Sequence, residues 1–204
     1  MLDNFRSKLS AYIAFALVAS SVSLAGCGST PASNFYVLSP RVDPEVEGRA
    51  EALFKVGLAP ILLPSVVDRS QMIFSVSTNE RQVSEFTRWA SPLSDNITRV
   101  IEQNLESSLG QASVYRQPAR FSPPLDYLVS LEILEFDSKI DSACSLRARF
   151  HIADRNSQWI TSETISASSS SKTEGPAGVA EAMSTNIATL SAAIESSLRA
   201  AHAR

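Results

Sequence analysis

The chain has 204 residues, of which 44% are hydrophobic and 19% are charged. This balance is typical of a globular protein and excludes a chain that is disordered throughout. The formal net charge is −3, and without residues 1–26 the chain keeps 16 basic and 20 acidic side chains. A weakly acidic protein lacks the basic surface that nucleic acid requires, so we exclude nucleic acid as a partner.

The first 26 residues have the organisation of an export signal. Arg6 and Lys8 form a short basic region, and an apolar stretch follows from Ala11 to Leu24. That stretch is shorter than the ~20 residues that a membrane-spanning helix needs, and its length suits a secretory signal. The tetrad Leu24–Cys27 that follows resembles the lipobox of bacterial lipoproteins. The resemblance implies cleavage before Cys27, a diacylglyceryl group on its thiol and an acylated amino group.

The alternative is an uncleaved N-terminal anchor helix that carries a cysteine by chance. Gly28–Pro31 would stop such a helix directly after Cys27, which favours cleavage. Because two or more acyl chains hold a protein stably on a bilayer, we expect a permanent lipid anchor. By the same resemblance, Gly28 favours the outer membrane, since lipoproteins retained at the inner membrane often carry Asp there. We therefore expect a signal peptide at 1–26, a lipidated tether at 27–34 and a single periplasm-facing domain at 35–204.

Four strands are predicted in the first half of the domain, where short β-prone runs end at proline or at polar turns. They are Phe35–Leu38, Phe54–Leu58, Gln71–Ser77 and Gln82–Phe86. The last two form a hairpin across the polar turn Thr78–Arg81. The charged stretch Arg41–Glu51 is predicted to be irregular.

A first helix is predicted after this hairpin. Ser91 is a favourable N-cap, Pro92 suits the first helical position, and Gly110 suits the position after the last turn. Between them, apolar residues recur about every four positions and form one apolar face. These residues are Leu93, Ile97, Val100, Ile101, Leu105 and Leu109.

The second half of the domain is predicted to contain an antiparallel meander. Alternation of apolar and polar residues indicates strands at Leu125–Ile133, Cys144–Ile152 and Trp159–Ala167, with a turn at Ala153–Ser157. The short run Ser168–Ser171 is interpreted as a strand end or a loop.

A second helix opens at Gly175 and Pro176. Its apolar residues lie three or four positions apart, so it is also amphipathic: Val179, Met183, Ile187, Leu190, Ile194 and Leu198. The fold class that follows is α+β. We expect a two-layer sandwich, in which a mixed, mostly antiparallel sheet is covered on one face by the two helices.

Residues with catalytic chemistry are scarce in this sequence. His151 lies on the polar side of a predicted strand and His202 lies close to the C-terminus, and neither has metal-ligand neighbours at the usual spacing. Glu132 and Glu135 are three residues apart, so an extended strand would point them to opposite sides. No phosphate-binding glycine loop and no nucleophile elbow is present. We expect a protein that is not an enzyme and has no cofactor or metal.

Four other side chains have a packing interpretation beside a functional one. Cys144 alternates with apolar residues and is predicted to be a small buried side chain. Trp89 and Trp159 are predicted to pack in or at the rim of the core, and the alternative for each is an interface anchor. Arg147 and Arg149 are interpreted as a solvated strand face.

Three segments together resemble the ABC-type transport auxiliary lipoprotein family, which includes the paraquat-inducible lipoprotein of an intermembrane transport system. They are Val56–Pro64, Val67–Met72 and Val83–Leu93. The family pattern joins a strand ending in Leu-Pro, an Asp-Arg-x-Gln, and a Phe-x-x-Trp-Ala ahead of a helix. The residues that match it are Pro64, Asp68, Arg69, Gln71, Phe86 and Trp89. Ser70 stands where many members carry Pro, and Arg41–Glu51 matches no part of the pattern.

The resemblance implies a non-catalytic subunit of a mammalian-cell-entry (MCE) type system, which moves lipids between the two membranes. The auxiliary lipoprotein would dock the periplasmic MCE-domain protein at the outer membrane, and its loss would weaken the envelope. The resemblance leaves open whether the protein forms a ring-like homo-oligomer, because some members of the family form one. The matched residues either hold the fold or contact the partner.

Two other functions are weighed against this one. The first is a lipid-carrying or outer-membrane assembly lipoprotein with an apolar cavity of its own. The second is a periplasmic hydrolase, although no residue pattern in the sequence indicates one.

Overall fold

The computed structural model describes residues 31–41, 54–109, 113–118, 123–140 and 143–204. Within these ranges the chain contains eight strands and two helices, so the predicted α+β class is confirmed. In chain order they are β1 (Asn34–Tyr36), β2 (Val56–Leu58), β3 (Gln71–Ser77), β4 (Glu80–Trp89), α1 (Leu93–Leu109), β5 (Val114–Arg116), β6 (Tyr127–Ser138), β7 (Ala143–Asp154), β8 (Trp159–Ser170) and α2 (Gly175–His202). The excursion predicted at Arg41–Glu51 lies outside the described residues, apart from Arg41 itself.

The strands form two sheets, which corrects the prediction of a single mixed sheet. The smaller sheet has the order β1-β4-β3 and the larger has the order β5-β2-β6-β7-β8. Both are mixed, because β1 runs parallel to β4 and β2 runs parallel to both β5 and β6, whereas the other pairs are antiparallel. Sequence periodicity cannot assign a strand to a sheet, since pairing between distant segments leaves no mark on either one.

The helices carry their apolar faces as predicted, but α1 begins at Leu93, one residue after the predicted first helical position Pro92. The N–H of Asn96 bonds to the carbonyl of Pro92 at 3.0 Å, so the hydrogen-bond ladder of α1 starts at that proline. Gly175 has a φ of 70°, a value that favours glycine, and α2 starts there with Pro176 in its first turn. Every apolar residue predicted for the two helix faces is buried. Gly110, the predicted end of α1, lies outside the described residues.

The helices pack against each other, and α2 also packs against β7 and β8. The side chains between these layers form one apolar core together with residues of β2, β3 and β6. Among the largest fully buried side chains are Phe150, Leu58, Met72, Ile97 and Leu105.

The predicted meander is present, with one departure on β6. The pairing of β6 with β7 shifts register between Ile133 and Glu135. As a result Glu132 lies opposite Arg149 and Glu135 lies opposite Arg147, so both glutamates share the outward side of the sheet. The prediction that Glu132 and Glu135 point to opposite sides is therefore wrong, because strict alternation does not continue through a bulge.

The hairpin of β3 and β4 is also confirmed, with a shorter turn than predicted. Ser77 lies opposite Glu80, so only Thr78 and Asn79 lie between the two strands. β4 continues to Trp89, where β1 pairs with it in parallel: Asn34 lies opposite Thr87 and Tyr36 opposite Trp89. β5 is a strand that sequence analysis missed, since its three residues are too few to show a period.

Candidate docking surface

Extended chain directly after β1 is clamped between the two helices. The N–H of Leu38 donates to Asn96 Oδ1 at 3.2 Å, that of Ser39 to Ser184 Oγ at 3.0 Å and that of Arg41 to Asn104 Oδ1 at 3.0 Å. Asn96, Asn104 and Ser184 are all buried. Helix side chains therefore satisfy this backbone in place of a neighbouring strand. We call residues 38–41 the clamped segment.

The side chain of Arg41 adds an ionic contact at the end of the clamped segment. Arg41 Nη2 lies 3.2 Å from Glu181 Oε1 on α2. The pKa of Glu181 is lowered, first by the hydroxyl of Ser171, then by Arg41 and Thr173, all of which donate to the carboxylate. Both partners of the ion pair are nearly half exposed, so its contribution to stability is small.

An open groove of about 420 Å³ lies between this part of the chain and the first half of α2. Phe35, Val37 and Pro40 line one side, and Ala177 and Glu181 line the other. Phe35 is 63% exposed and Val37 is 51% exposed, although their neighbours Tyr36 and Leu38 turn towards the core. Two apolar side chains thus point outward on one side of an extended segment.

The family-pattern residues separate into an exposed loop and a buried corner. In the loop, the carbonyl of Pro64 accepts the N–H groups of Val67 and Asp68 at 3.0 and 3.2 Å. Asp68 and Arg69 follow this turn, are exposed, and form no ion pair with the residues that the structure describes. Val66 is 50% exposed in the same loop. This loop therefore presents one acidic, one basic and one apolar side chain to solvent.

The buried corner is formed by Gln71 and Trp89, together with neighbours from four elements. Trp89 is buried, and its ring meets that of Phe136 edge-to-face with centroids 6.4 Å apart. The backbone N–H of Trp89 donates to the carbonyl of Ser70 at 2.7 Å. Gln71 and Trp89 line a space of about 10 Å³ beside Leu93, enough for about one water. The packing of Trp89 is the core role predicted for it, and Phe86 is 40% exposed.

The outward side of the larger sheet is polar and exposed. Arg147 Nε lies 3.9 Å from Glu135 and Arg149 Nη1 lies 3.7 Å from Glu132, with every one of these side chains about half exposed. Such pairs are weak in water, so the guanidinium groups stay available to a partner. The outward side chains of β8 carry hydroxyl groups. On the far side of β6 from β8, Leu62 forms a β-bridge with Glu132 and is 65% exposed.

Trp159 stands at one corner of this surface, and the prediction that it packs in or at the rim of the core is wrong. It is 63% exposed, and its ring lies 5.1 Å from that of His151. The register of β7 and β8 shifts between Ile152 and Ala153, and Trp159 pairs with Ala153 after the shift. That shift places Trp159 on the same side of the sheet as His151, away from the core. We use the name open sheet face for Leu62, Glu132, Glu135, Arg147, Arg149, His151 and Trp159.

The described part of the chain contains one cysteine, Cys144, and two histidines, His151 and His202. Cys144 is fully buried, as predicted, and burial raises the pKa of its thiol to about 11. His202 stacks with Phe54 and Tyr127, and His151 lies on the polar side of β7 as predicted. No group of three or more potential metal ligands occurs among the described residues. Within the same ranges, no helix is long and apolar enough to cross a membrane.

Cys27, the predicted lipidation site, lies outside the described residues, so the sequence alone supports that prediction. Sequence analysis also missed the contribution of Leu62 to the open sheet face. The signal was present in principle, because Leu62 follows Pro60 and precedes Pro64 in a run too apolar for a simple loop.

Two solved structures share this fold. Protein XCC0632 from Xanthomonas campestris, of family DUF330, is 18% identical, with a TM-score of 0.66 over 79% of this chain and 92% of that chain. A structure titled only as an uncharacterized protein is 14% identical, with a TM-score of 0.67 over 82% of this chain and 99% of that chain. At these identities the likeness concerns the fold alone. Comparison with curated proteins finds no match.

The sequence match to a family is more specific. The family described as ABC-type transport auxiliary lipoprotein component matches residues 36–195, which run from the end of β1 to the last turns of α2. This range contains the exposed loop, the buried corner and the open sheet face. The chain belongs to the ABC-type transport auxiliary lipoprotein component family.

Proposed function

We propose that this protein is a lipid-anchored, non-catalytic subunit that docks the periplasmic MCE-domain protein of an ABC-type lipid transport system at the outer membrane. The observation that carries the proposal is the family match across residues 36–195. Its expected role is to support lipid movement between the membranes and the integrity of the envelope.

The anchor belongs to the same proposal. Residues 1–26 are removed as a signal peptide, Cys27 receives the lipid, and residues 27–34 form the tether. Cys27→Ser should release the protein from the membrane fraction and leave residues 1–26 uncleaved. A Cys144→Ser variant is the matched control, since its cysteine is buried in the fold and should leave the anchor intact. Identical fractionation of wild type and Cys27→Ser would refute the anchor.

The open sheet face is the proposed docking surface for the MCE-domain protein. Trp and Arg are the residues most often responsible for binding energy at protein interfaces, and Trp159, Arg147 and Arg149 are exposed together here. The pattern residues divide between the two roles considered for them. Gln71 and Trp89 hold the fold, and the loop with Pro64, Asp68 and Arg69 is a second contact beside Val66.

The test is co-purification of the lipoprotein with the MCE-domain protein from the same organism, extracted in mild detergent. Trp159→Ala should weaken the complex by about thirtyfold or more, as expected for an exposed aromatic anchor worth about 2 kcal/mol. Val76→Ala is the control, because Val76 is similarly exposed at 56% but lies near the tip of the β3–β4 hairpin. Equal recovery of the partner with both variants would refute the docking surface.

A genetic test addresses the function without assuming the surface. Deletion of the gene should increase envelope permeability to large or hydrophobic toxic compounds, and the wild-type gene should restore the barrier. An intact envelope together with no MCE-domain partner in purified material would refute the proposed function.

The alternative function is a lipid carrier or assembly lipoprotein with its own apolar cavity. The enclosed space beside Trp89 is about 10 Å³, far smaller than a drug-sized ligand site. The groove of about 420 Å³ beside Phe35 is large enough for such a ligand, but it is an open surface groove and not an enclosed apolar cavity. Native mass spectrometry distinguishes the two, because stoichiometric bound phospholipid would support the carrier. The same spectrum reports whether the protein is a homo-oligomer.

A further inference from the structure

The outward side of β1 is apolar, although strands facing water usually place polar residues there. Phe35 is 63% exposed and Val37 is 51% exposed. Arg88 lies opposite Phe35 on β4. Arg88 forms no ion pair with any described residue, and its Nε donates to the carbonyl of Glu85 at 3.2 Å. We call Phe35, Val37 and Arg88 the β1 patch.

The β1 patch is firmly connected to the rest of the domain. Asn34–Tyr36 pair with β4, and the clamped segment that follows is bonded to α1 and α2. Therefore any pull on the N-terminal tether reaches the folded domain at β1.

The length of the tether limits which surface can meet the membrane. Only six residues lie between Cys27 and Asn34, and the seven Cα-to-Cα steps from Cys27 to Asn34 span about 25 Å when fully extended. A domain of about 170 residues has a radius of gyration near 16 Å, so its diameter is about 40 Å. A lipid on Cys27 thus keeps the β1 side of the domain within reach of the bilayer, and the far side out of reach.

We propose that the β1 patch inserts into the headgroup and upper acyl region of the bilayer that holds Cys27, and so sets the orientation of the domain. The inference rests on the lipid anchor of the proposed function. Phe35 and Val37 contribute apolar contact area, and Arg88 can extend its guanidinium to lipid phosphates. A partly inserted β1 patch would hold the domain in one orientation on the bilayer.

The test uses the full lipidated protein reconstituted in vesicles of phosphatidylethanolamine and phosphatidylglycerol. Phe35→Trp is made in a Trp159→Phe background, so that the only other indole is the buried Trp89. Val76→Trp in the same background is the matched control. Phosphatidylcholine brominated on the acyl chain near the headgroup is then added as quencher.

The indole at position 35 should emit at shorter wavelength in vesicles than in a reference sample of the same variant with little lipid and no detergent. It should also lose about half of its emission when brominated lipid is present. The control at position 76 should lose almost none. Unchanged urea midpoints verify that both variants are folded. Equal quenching at the two positions would overturn the proposal.

A vesicle flotation assay distinguishes failure of the lipid anchor from failure of the β1 patch. If the protein does not float with vesicles, the anchor fails, and the proposed function falls with the β1 patch. If it floats without quenching at position 35, only the β1 patch is refuted. Protection of position 35 that depends on protein concentration, without lipid quenching, would identify a second copy as the occupant and would also overturn the proposal.

Discussion

Replacement of Asn104 by alanine is the sharpest test of the clamped segment. Asn104 is 7% exposed and makes two bonds that link three parts of the fold. Its Oδ1 accepts the N–H of Arg41 at 3.0 Å, and its Nδ2 donates to Ser191 Oγ on α2 at 3.2 Å. Asn104→Ala removes both bonds and leaves the N–H of Arg41 without its acceptor.

The expected cost follows from these contacts. Each lost neutral hydrogen bond costs about 1 kcal/mol, and a partly buried N–H left without a partner adds to that, so we expect a loss of about 2–3 kcal/mol. For a domain of this size the midpoint of thermal unfolding should fall by about 5–10 °C. Ser191 keeps its bond to the carbonyl of Ile187 at 2.8 Å, which limits the damage on α2.

The assay is urea unfolding of the full chain in detergent, made in the Trp159→Phe background and followed by the fluorescence of Trp89, which is buried and reports loss of packing. Ser107→Ala on the same helix is the control, and it should change the free energy of unfolding by less than about 0.5 kcal/mol. If Asn104→Ala and Ser107→Ala unfold at the same urea concentration, the clamped segment does not contribute to stability and the reasoning is wrong.

Three further predictions concern stability and titration. Leu105→Ala should cost about 2–5 kcal/mol in urea unfolding because Leu105 is fully buried, whereas Leu62→Ala should change little because Leu62 is 65% exposed. The thiol of Cys144 has a pKa raised to about 11, so it favours the folded state fully below the pKa of the unfolded thiol. That stability should be lost as the pH rises towards 11, and a Cys144→Ala variant should lack this alkaline decline in urea midpoints. The pKa of Glu181 is lowered, so its contribution should be lost as the pH falls through the folded value; Ser171→Ala should raise that pKa in an NMR titration.

The regular elements were predictable because their side chains report burial locally. Leu93, Ile97 and Leu105 repeat at helical spacing, and Cys144, Leu146 and Phe150 alternate at strand spacing; all are buried. β5 escaped prediction because three residues cannot display a period. The division into two sheets escaped because it depends on which distant strands pair.

The candidate surfaces depended on irregularities that alternation hides. The bulge after Ile133 placed Glu132 and Glu135 on one side of the sheet. The shift after Ile152 turned Trp159 from a predicted packing residue into an exposed one. Neither shift is visible in β6 or β8 alone, since a register is a property of two strands together.

The sequence by itself determined the class of fold, the apolar faces of both helices and the family, because each of these is recorded in the spacing of residues along one segment. It also carries the prediction of a lipid anchor at Cys27, since the lipobox is a short continuous pattern. Only the tertiary structure decided which side chains meet solvent together. The open sheet face, the clamped segment and the β1 patch each join residues that lie dozens of positions apart. Their exposure depends on bulges, sheet order and buried amide contacts, and these arise only when the whole chain packs.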